Sequence, residues 1–240
     1  MTTGAWSLAT DLAPMGVLRA SINLGNPVLA RGSAQDPGGV TVDLAREVGG
    51  RLGLPVELVC FDAARKSLEA MTAGDADICF LAIDPAREAE VAFTAPYVVI
   101  EGVFVVPADS AVQTLADIDR SGVRIGVKRG SAYDLYLTRT LQHADVVRGE
   151  EGVDVFLDEE LDVAAGIRQP MTAFVQERAD VRLFDERFMQ IQQAVGTTKS
   201  RRPETVAFLR ATVENLKVNG FVSEALRRSG QADAAVAAPA

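Results

Sequence analysis

One histidine and two cysteines are all the imidazole and thiol groups this chain offers a metal. His143 stands in "LQHADVV", and Cys60 and Cys79 stand in the apolar runs "VELVCF" and "DICFLAI". No Cys/His spacing suits zinc, and nothing in the sequence builds a Ser-His-Asp constellation around the single imidazole. Thiols inside apolar runs read as core side chains rather than as a disulfide. Positive charge is also short: 24 Lys and Arg stand against 33 Asp and Glu, for a net charge of −9. That balance disfavours nucleic acid and anionic membrane as partners. No apolar run approaches the roughly 20 residues that span a bilayer, so direct membrane insertion is not expected. The first residues, "MTTGAWSLATDLAPMG", lack the basic n-region and long apolar h-region of a secretory signal. Neither a P-loop nor a dinucleotide fingerprint is present, and no cofactor is expected. The small, Ala-rich end "GQADAAVAAPA" is unpatterned and is expected to fray.

What is present is a strand–helix rhythm. "VLRASIN" reads as a buried strand, followed by a loop rich in Gly and Pro. "TVDLAREVGGRLG" puts Val42, Ala45, Val48 and Leu52 on one helical face, with Thr41 as N-cap and Gly53 as the stop. "PVELVCF" is a strand, "ARKSLEAMTAG" a helix ended by Gly74, and "ADICFLAI" a continuous apolar strand of the kind covered on both faces. The series predicts an α/β sheet with right-handed crossovers. "YVVIEGVFVVP" is longer than the usual strand of about 5–6 residues. A fresh series follows it: helix "TLADIDRSG", strand "VRIGV", turn "KRGS", helix "AYDLYLTRTLQH", and further strands and helices to "VRLFD". A second long extended run, "FMQIQQAVGTTK", precedes a helix from Pro203 and the segment "FVSEALRRS". The expectation is two lobes, 1–100 with 194–240 and an inserted 101–193, joined by two crossing segments, with a ligand cleft at strand ends and helix N-termini.

Two segments point to anion chemistry. In "VRIGVKRGSAYDLYL" a strand turns through Gly130 into a helix near Ser131, which presents backbone N–H groups and a positive dipole end. The plainer reading is that Ser131 only caps the helix. In "FLAIDPAREAEVAFTAPY", Arg87 follows a buried parallel strand, where an α/β lobe has its cleft. A guanidinium there can grip a carboxylate with two parallel hydrogen bonds. The plainer reading is a solvated loop charge.

Taken in order, "DLA", "GDAD", "AREAEVAFTAPY" and "GVKRGS" make the chain resemble the family 3 extracytoplasmic solute-binding proteins over roughly residues 16–229. The resemblance implies the two-lobed periplasmic-binding-protein type II fold, with a mixed, mostly parallel sheet in each lobe. It implies a monomeric, non-enzymatic receptor that closes on a small carboxylate or amino-acid ligand and serves the membrane permease of an ABC transporter. Arg87 would then bind the ligand carboxylate, with Ala82, Ile83 and Asp84 of "AIDPAR" beside it. Ser131, Ala132 and Tyr133 would add contacts, and Asn23 and Asn26 would line the pocket. The family's periplasmic location is implied as well, with a cytoplasmic sensor as the alternative because the chain as given shows no export signal.

The chain also departs from the pattern. Where the amino-acid receptors carry an ammonium-binding aspartate, this chain has "LDVAAGIRQP", ending in Arg168 and Gln169. If Arg168 faces inward, two guanidinium groups would favour acidic over basic ligands. If it faces outward, it is a solvated residue ahead of Pro170. Some relatives on this fold are cyclohexadienyl dehydratases, and Glu101 and Glu160 are the candidates here for the general acid such an enzyme needs.

Overall fold

The computed structural model describes residues 3–240 and the side chains of 8–240. The chain divides into two compact units. One runs to Val99 and resumes over Gln192–Ala240; the other is Ile100–Ile191. The first unit contains α1 (Thr3–Leu12), β1 (Leu18–Asn23), the small hairpin β2 (Arg31–Gly32) and β3 (Pro37–Gly38), α2 (Val40–Leu52), β4 (Val56–Phe61), α3 (Ala64–Ala73), β5 (Ile78–Ala82) and α4 (Pro85–Glu88). The 17-residue strand β6 (Val91–Pro107) begins in the first unit and ends in the second. The second unit continues with β7 (Arg124–Lys128), α5 (Ala132–Thr140), β8 (Asp145–Gly149), α6 (Gly152–Asp158), β9 (Val163–Ile167), α7 (Arg168–Gln176) and β10 (Val181–Leu183). Strand β11 (Met189–Thr198) leads back to the first unit, where α8 (Pro203–Val218), α9 (Phe221–Arg228) and β12 (Ala235–Val236) close the chain.

In the first unit the strand order is β4-β1-β5-β11-β6. Strand β1 runs parallel to both β4 and β5, with Asn23 opposite Phe61 and Ser21 opposite Cys79. Strand β11 enters antiparallel, pairing Gln193 with Ala82. All five residues of β5 are buried, because the strand has a neighbour on each edge and helices over its faces. Met71 of α3 packs on Cys79, Leu81, Val91, Phe93 and Ala194. Full burial of one such side chain stabilises by roughly 1.5–3 kcal/mol. Helix α2 ends where Gly53 takes φ 66, a left-handed conformation that costs glycine little. Parallel pairing of β4, β1 and β5 brings their C-terminal ends to one edge, and with them the turn at Asn23–Asn26 and the start of α4.

In the second unit β7 is parallel to β8 and β9, and β6 runs antiparallel to β9 and β10. Val103, Val105, Phe156, Leu161, Ala164 and Met171 form its core. Gly102 lets Phe188 approach: an added Cβ would stand 3.0 Å from the ring. That ring stacks on Phe104, with centroids 4.1 Å apart.

Several expectations are corrected. Thr41 is not the cap of α2. Its hydroxyl donates to Leu29 O (3.1 Å), and the helix starts at Val40 behind Gly39. "TLADIDRSG" is only a 3-10 turn over Leu115–Asp117, because Asp117 bonds back to Thr114 and Gln113. Asp119 instead accepts from the N–H groups of Gln142, His143 and Ala144. The C-terminal end does not fray. β12 pairs with Val98–Val99, Ala237 N–H donates to Tyr97 O, and Lys217 Nζ donates to Ala238 O (2.9 Å). Composition hid this, since a two-residue edge strand is stabilised by its partner and not by its own propensity.

Candidate functional site

In the first unit, Asn23 ends β1 and folds its own side chain into the following turn, with Oδ1 accepting from Gly25 N–H (3.1 Å). Asn26 closes that turn. Its backbone oxygen accepts from Leu29 and Ala30, each at 3.0 Å. The residue is only 5% exposed, and its side-chain Oδ1 is buried without a partner.

One strand over, Ala82 ends β5 and is buried, while Ile83 donates its N–H to Gln192 O. Asp84 caps α4, accepting from Ala86 N–H at 2.9 Å, and Pro85 takes the first helical position, where no N–H is missed. This tight turn brings Arg87 back over the strand end. The guanidinium is 2% exposed, and Nη1 donates to Ala82 O (3.0 Å). Burial depresses the Arg87 pKa, and the nearby Asp84 charge acts against that. Burial also pushes the Cys79 thiol up to about 12, with the Arg87 charge acting the other way. Arg87 is therefore not a solvated loop residue. It is a buried cation at the edge where β1, β4 and β5 end.

In the second unit, Ser131 is the N-cap of α5, with Oγ accepting from Asp134 N–H (3.0 Å). The turn is partly filled from within. Gly130 N–H donates to Asp134 Oδ2 (2.8 Å), and Arg148 Nε donates to Asp134 Oδ1 (2.9 Å). An internal carboxylate thus stands at the positive end of α5, the place expected for a bound anion. Ala132 is half-buried and Tyr133 is buried, and burial raises the Tyr133 phenol.

At the end of β9, Arg168 opens α7 and Gln169 follows; Gln169 Oε1 is buried without a partner. Arg168 Nε donates to Glu101 Oε2 (2.5 Å) and Nη2 to Asp185 O (2.7 Å), while Arg187 Nη1 reaches the other oxygen of Glu101 (2.9 Å). Glu101, Arg168, Asp185, Glu186 and Arg187 line a cavity of about 440 Å³. Neither alternative for Arg168 included this partner: Glu101 supplies the negative charge beside it. Sequence reasoning missed this pair, and no local pattern links residues 67 positions apart.

The same pairing bears on acid catalysis. Burial pushes Glu101 up, but hydrogen bonds from Arg168 and Arg187 outweigh it and hold the carboxyl below its ordinary value. A general acid needs the opposite shift. Glu160 is exposed, at a positive φ of 47. Among the described residues no cluster of His, Cys, Asp and Glu could hold a metal, and no helix is long and apolar enough to cross a membrane. Cys60 and Cys79 are free thiols.

No curated protein matches the chain. Solved structures do. A mutant of ArgBP from T. maritima superposes with a TM-score of 0.75 at 21% identity, covering 93% of this chain and 99% of that one. AbpA from Streptococcus pneumoniae, bound to L-arginine, gives 0.75 at 18% identity, covering 92% and 97%. The ancestral amino-acid-binding protein AncCDT-1, a precursor of cyclohexadienyl dehydratase, gives 0.74 at 20%, covering 92% and 98%. These likenesses establish the periplasmic-binding-protein type II fold. Residues 22–231 match one family along most of the chain, and the protein belongs to the bacterial extracellular solute-binding proteins, family 3.

Proposed function

We propose that this chain is the receptor of an ABC importer for a small carboxylate-bearing solute, acting outside the cytoplasm, and that Arg87 holds the solute's carboxylate. The observation that carries this reading is a guanidinium only 2% exposed, placed by a capped four-residue helix at the C-terminal end of parallel strand β5. A planar guanidinium fixed at a strand end matches the two oxygens of a carboxylate in geometry. The L-arginine named as bound to one solved relative supports a carboxylate as the recognised element. Asn23, Asn26, Ala82, Ile83 and Asp84 share the strand-end edge with Arg87 and belong to the same proposal. The turn at Ser131, Ala132 and Tyr133 and the β9 end at Arg168 and Gln169 are proposed as the second unit's contributions.

A thermal-shift panel of small carboxylates and amino acids tests it. A ligand at 100 times its Kd adds about 2.7 kcal/mol of stability. Hits are then titrated by calorimetry into the wild type, Arg87→Lys and Arg87→Ala. Loss of affinity in both variants is expected, since a lysine cannot reproduce the two-pronged contact. Affinity that survives Arg87→Ala overturns the assignment.

A further inference from the structure

Residues 231–240 are mostly alanine and carry no apolar side chain larger than valine, yet they are pinned along their length. Ala235 and Val236 pair antiparallel with Val99 and Val98 of β6, and Ala237 N–H donates to Tyr97 O (3.1 Å). Ala240 N–H reaches Glu214 Oε2 of α8 (3.2 Å). Lys217, also of α8, joins the segment to the strand: Nζ donates both to Ala238 O (2.9 Å) and to Pro96 O (3.1 Å). Its side chain is 1% exposed, with Glu214 Oε1 at 2.6 Å. A buried ammonium must use its donors, and this one directs them at both sides of a cross-tie. The place of that tie is defined. The first unit's share of β6 ends at Val99. Strands β9 and β10 pair with β6 only from Gly102 onward. Among the described residues, therefore, the edge of β6 over 97–99 that β11 does not cover is closed by β12 alone.

We infer that residues 231–240 are a strap: they hold β6 rigid up to the end of the first unit, and they come off it without unfolding that unit. The two halves of the inference have separate grounds. Rigidity follows from a second row of backbone hydrogen bonds on β6, reinforced by an ammonium that grips strand and strap together. Release follows from how the strap is held. Its side chains are small, so it is fixed by a few hydrogen bonds and little apolar burial, and segments of that kind open well below the global stability. The strand beneath does not depend on it, because Tyr97, Val98 and Ile100 are buried from the other sides. Strand β6 carries the chain from one unit to the other, so the strap decides where the chain starts to flex. In a receptor that closes on a solute, such a crossing segment absorbs the backbone change, and a loosened one lets the solute leave faster. That last consequence rests on the receptor reading; the strap itself does not.

Hydrogen–deuterium exchange, read by mass spectrometry on the full chain without solute, tests the strap. Ala237→Pro removes the donor to Tyr97 O, and Lys217→Met removes the ammonium but keeps an apolar stem. Each should speed exchange over residues 96–100 and 231–240 about tenfold or more, the equivalent of one lost hydrogen bond, while β1, β4 and β5 keep their wild-type protection. Unchanged exchange over 96–100 in Ala237→Pro overturns the inference. So does a rise by the same factor in β1, β4 and β5, because the segment would then belong to the cooperative core. If Lys217→Met does not fold, Ala237→Pro decides alone. Stopped-flow dissociation of succinate, L-glutamate or L-arginine, whichever binds, tests the consequence, and Ala237→Pro should speed it severalfold. Unchanged dissociation beside faster exchange overturns the strap's role in solute release. If none of the three binds, that role falls with the receptor reading, while the exchange result still decides the strap.

Discussion

Two arginines follow buried strands in this molecule, and their fates differ. Arg87, after β5 in the first unit, is 2% exposed, while the Arg168 side chain, after β9 in the second, is 28% exposed and ion-paired to Glu101. The contrast extends beyond them. Beside half-exposed pairs such as Lys66–Asp62 and Arg227–Glu224, the first unit also buries charge outright: Asp77 is 0% exposed, and it accepts from Arg19 through Nε and Nη2, from the Arg19 backbone N–H, and from Arg201. The second unit keeps most of its pairs half in water, as in Arg124–Glu159 and Arg178–Asp180. Asp134 is its exception, buried under the α5 turn with Arg148. The same residue types therefore do different work. Buried charge fixes a strand edge, whereas half-exposed charge adds little and is easily replaced.

The largest expected effect breaks the buried side of that contrast. Asp77→Ala leaves Arg19 and Arg201 without their common acceptor, and chemical denaturation should show a loss of about 3–5 kcal/mol. A loss below about 1 kcal/mol would place the Asp77 cluster with the surface pairs. Next, Arg87→Ala should weaken binding of the best carboxylate by about 2–3 kcal/mol in calorimetry. Removing the Arg168 guanidinium by Arg168→Ala should change carboxylate affinity far less, because Glu101 already neutralises it; equal losses would erase the distinction between the two arginines. Ser131→Ala removes the cap of α5 and should lower stability by about 1 kcal/mol in denaturant melts.

The smallest effect has a pH signature. Glu101 is held below its ordinary value of 4.5 in the folded chain. Its contribution is therefore complete above the unfolded pKa and disappears as pH falls through the folded one. Glu101→Gln should lower the melting temperature slightly at pH 7, by the equivalent of less than about 1 kcal/mol for so exposed a pair. The gap from wild type should narrow as the solution is acidified below pH 4.5. A gap that persists unchanged in acid would mean that the residue acts through packing.

Much of this was legible in the chain. The apolar run "ADICFLAI" read as a strand covered on both faces, and Gly53 and Gly74 as the ends of their helices, because local sterics and periodicity act within a few residues. The family motifs, read in order, led to the fold and to Arg87 as the residue to examine. The same reading took Ser131 for a cap or an anion site, and could not know that Asp134 and Arg148 fill the turn. It left Arg168 either inward, as a charge for a ligand to neutralise, or outward, as a solvated residue, and it expected the last residues to fray.

What the sequence determined by itself was therefore whatever local propensity and short-range pattern control: the strand–helix rhythm, the helix ends, the position of an arginine just past a buried strand. What only the tertiary structure decided was the partner of each charge. Glu101 reaches Arg168 across 67 positions, and Arg201 reaches Asp77 across 124. Burial, likewise, is a property of what folds over a residue. Arg87 and Asn26 read as loop residues in the chain. Both became buried groups because parallel pairing of β1 and β5 brings distant turns to one edge, where water no longer competes for their hydrogen bonds.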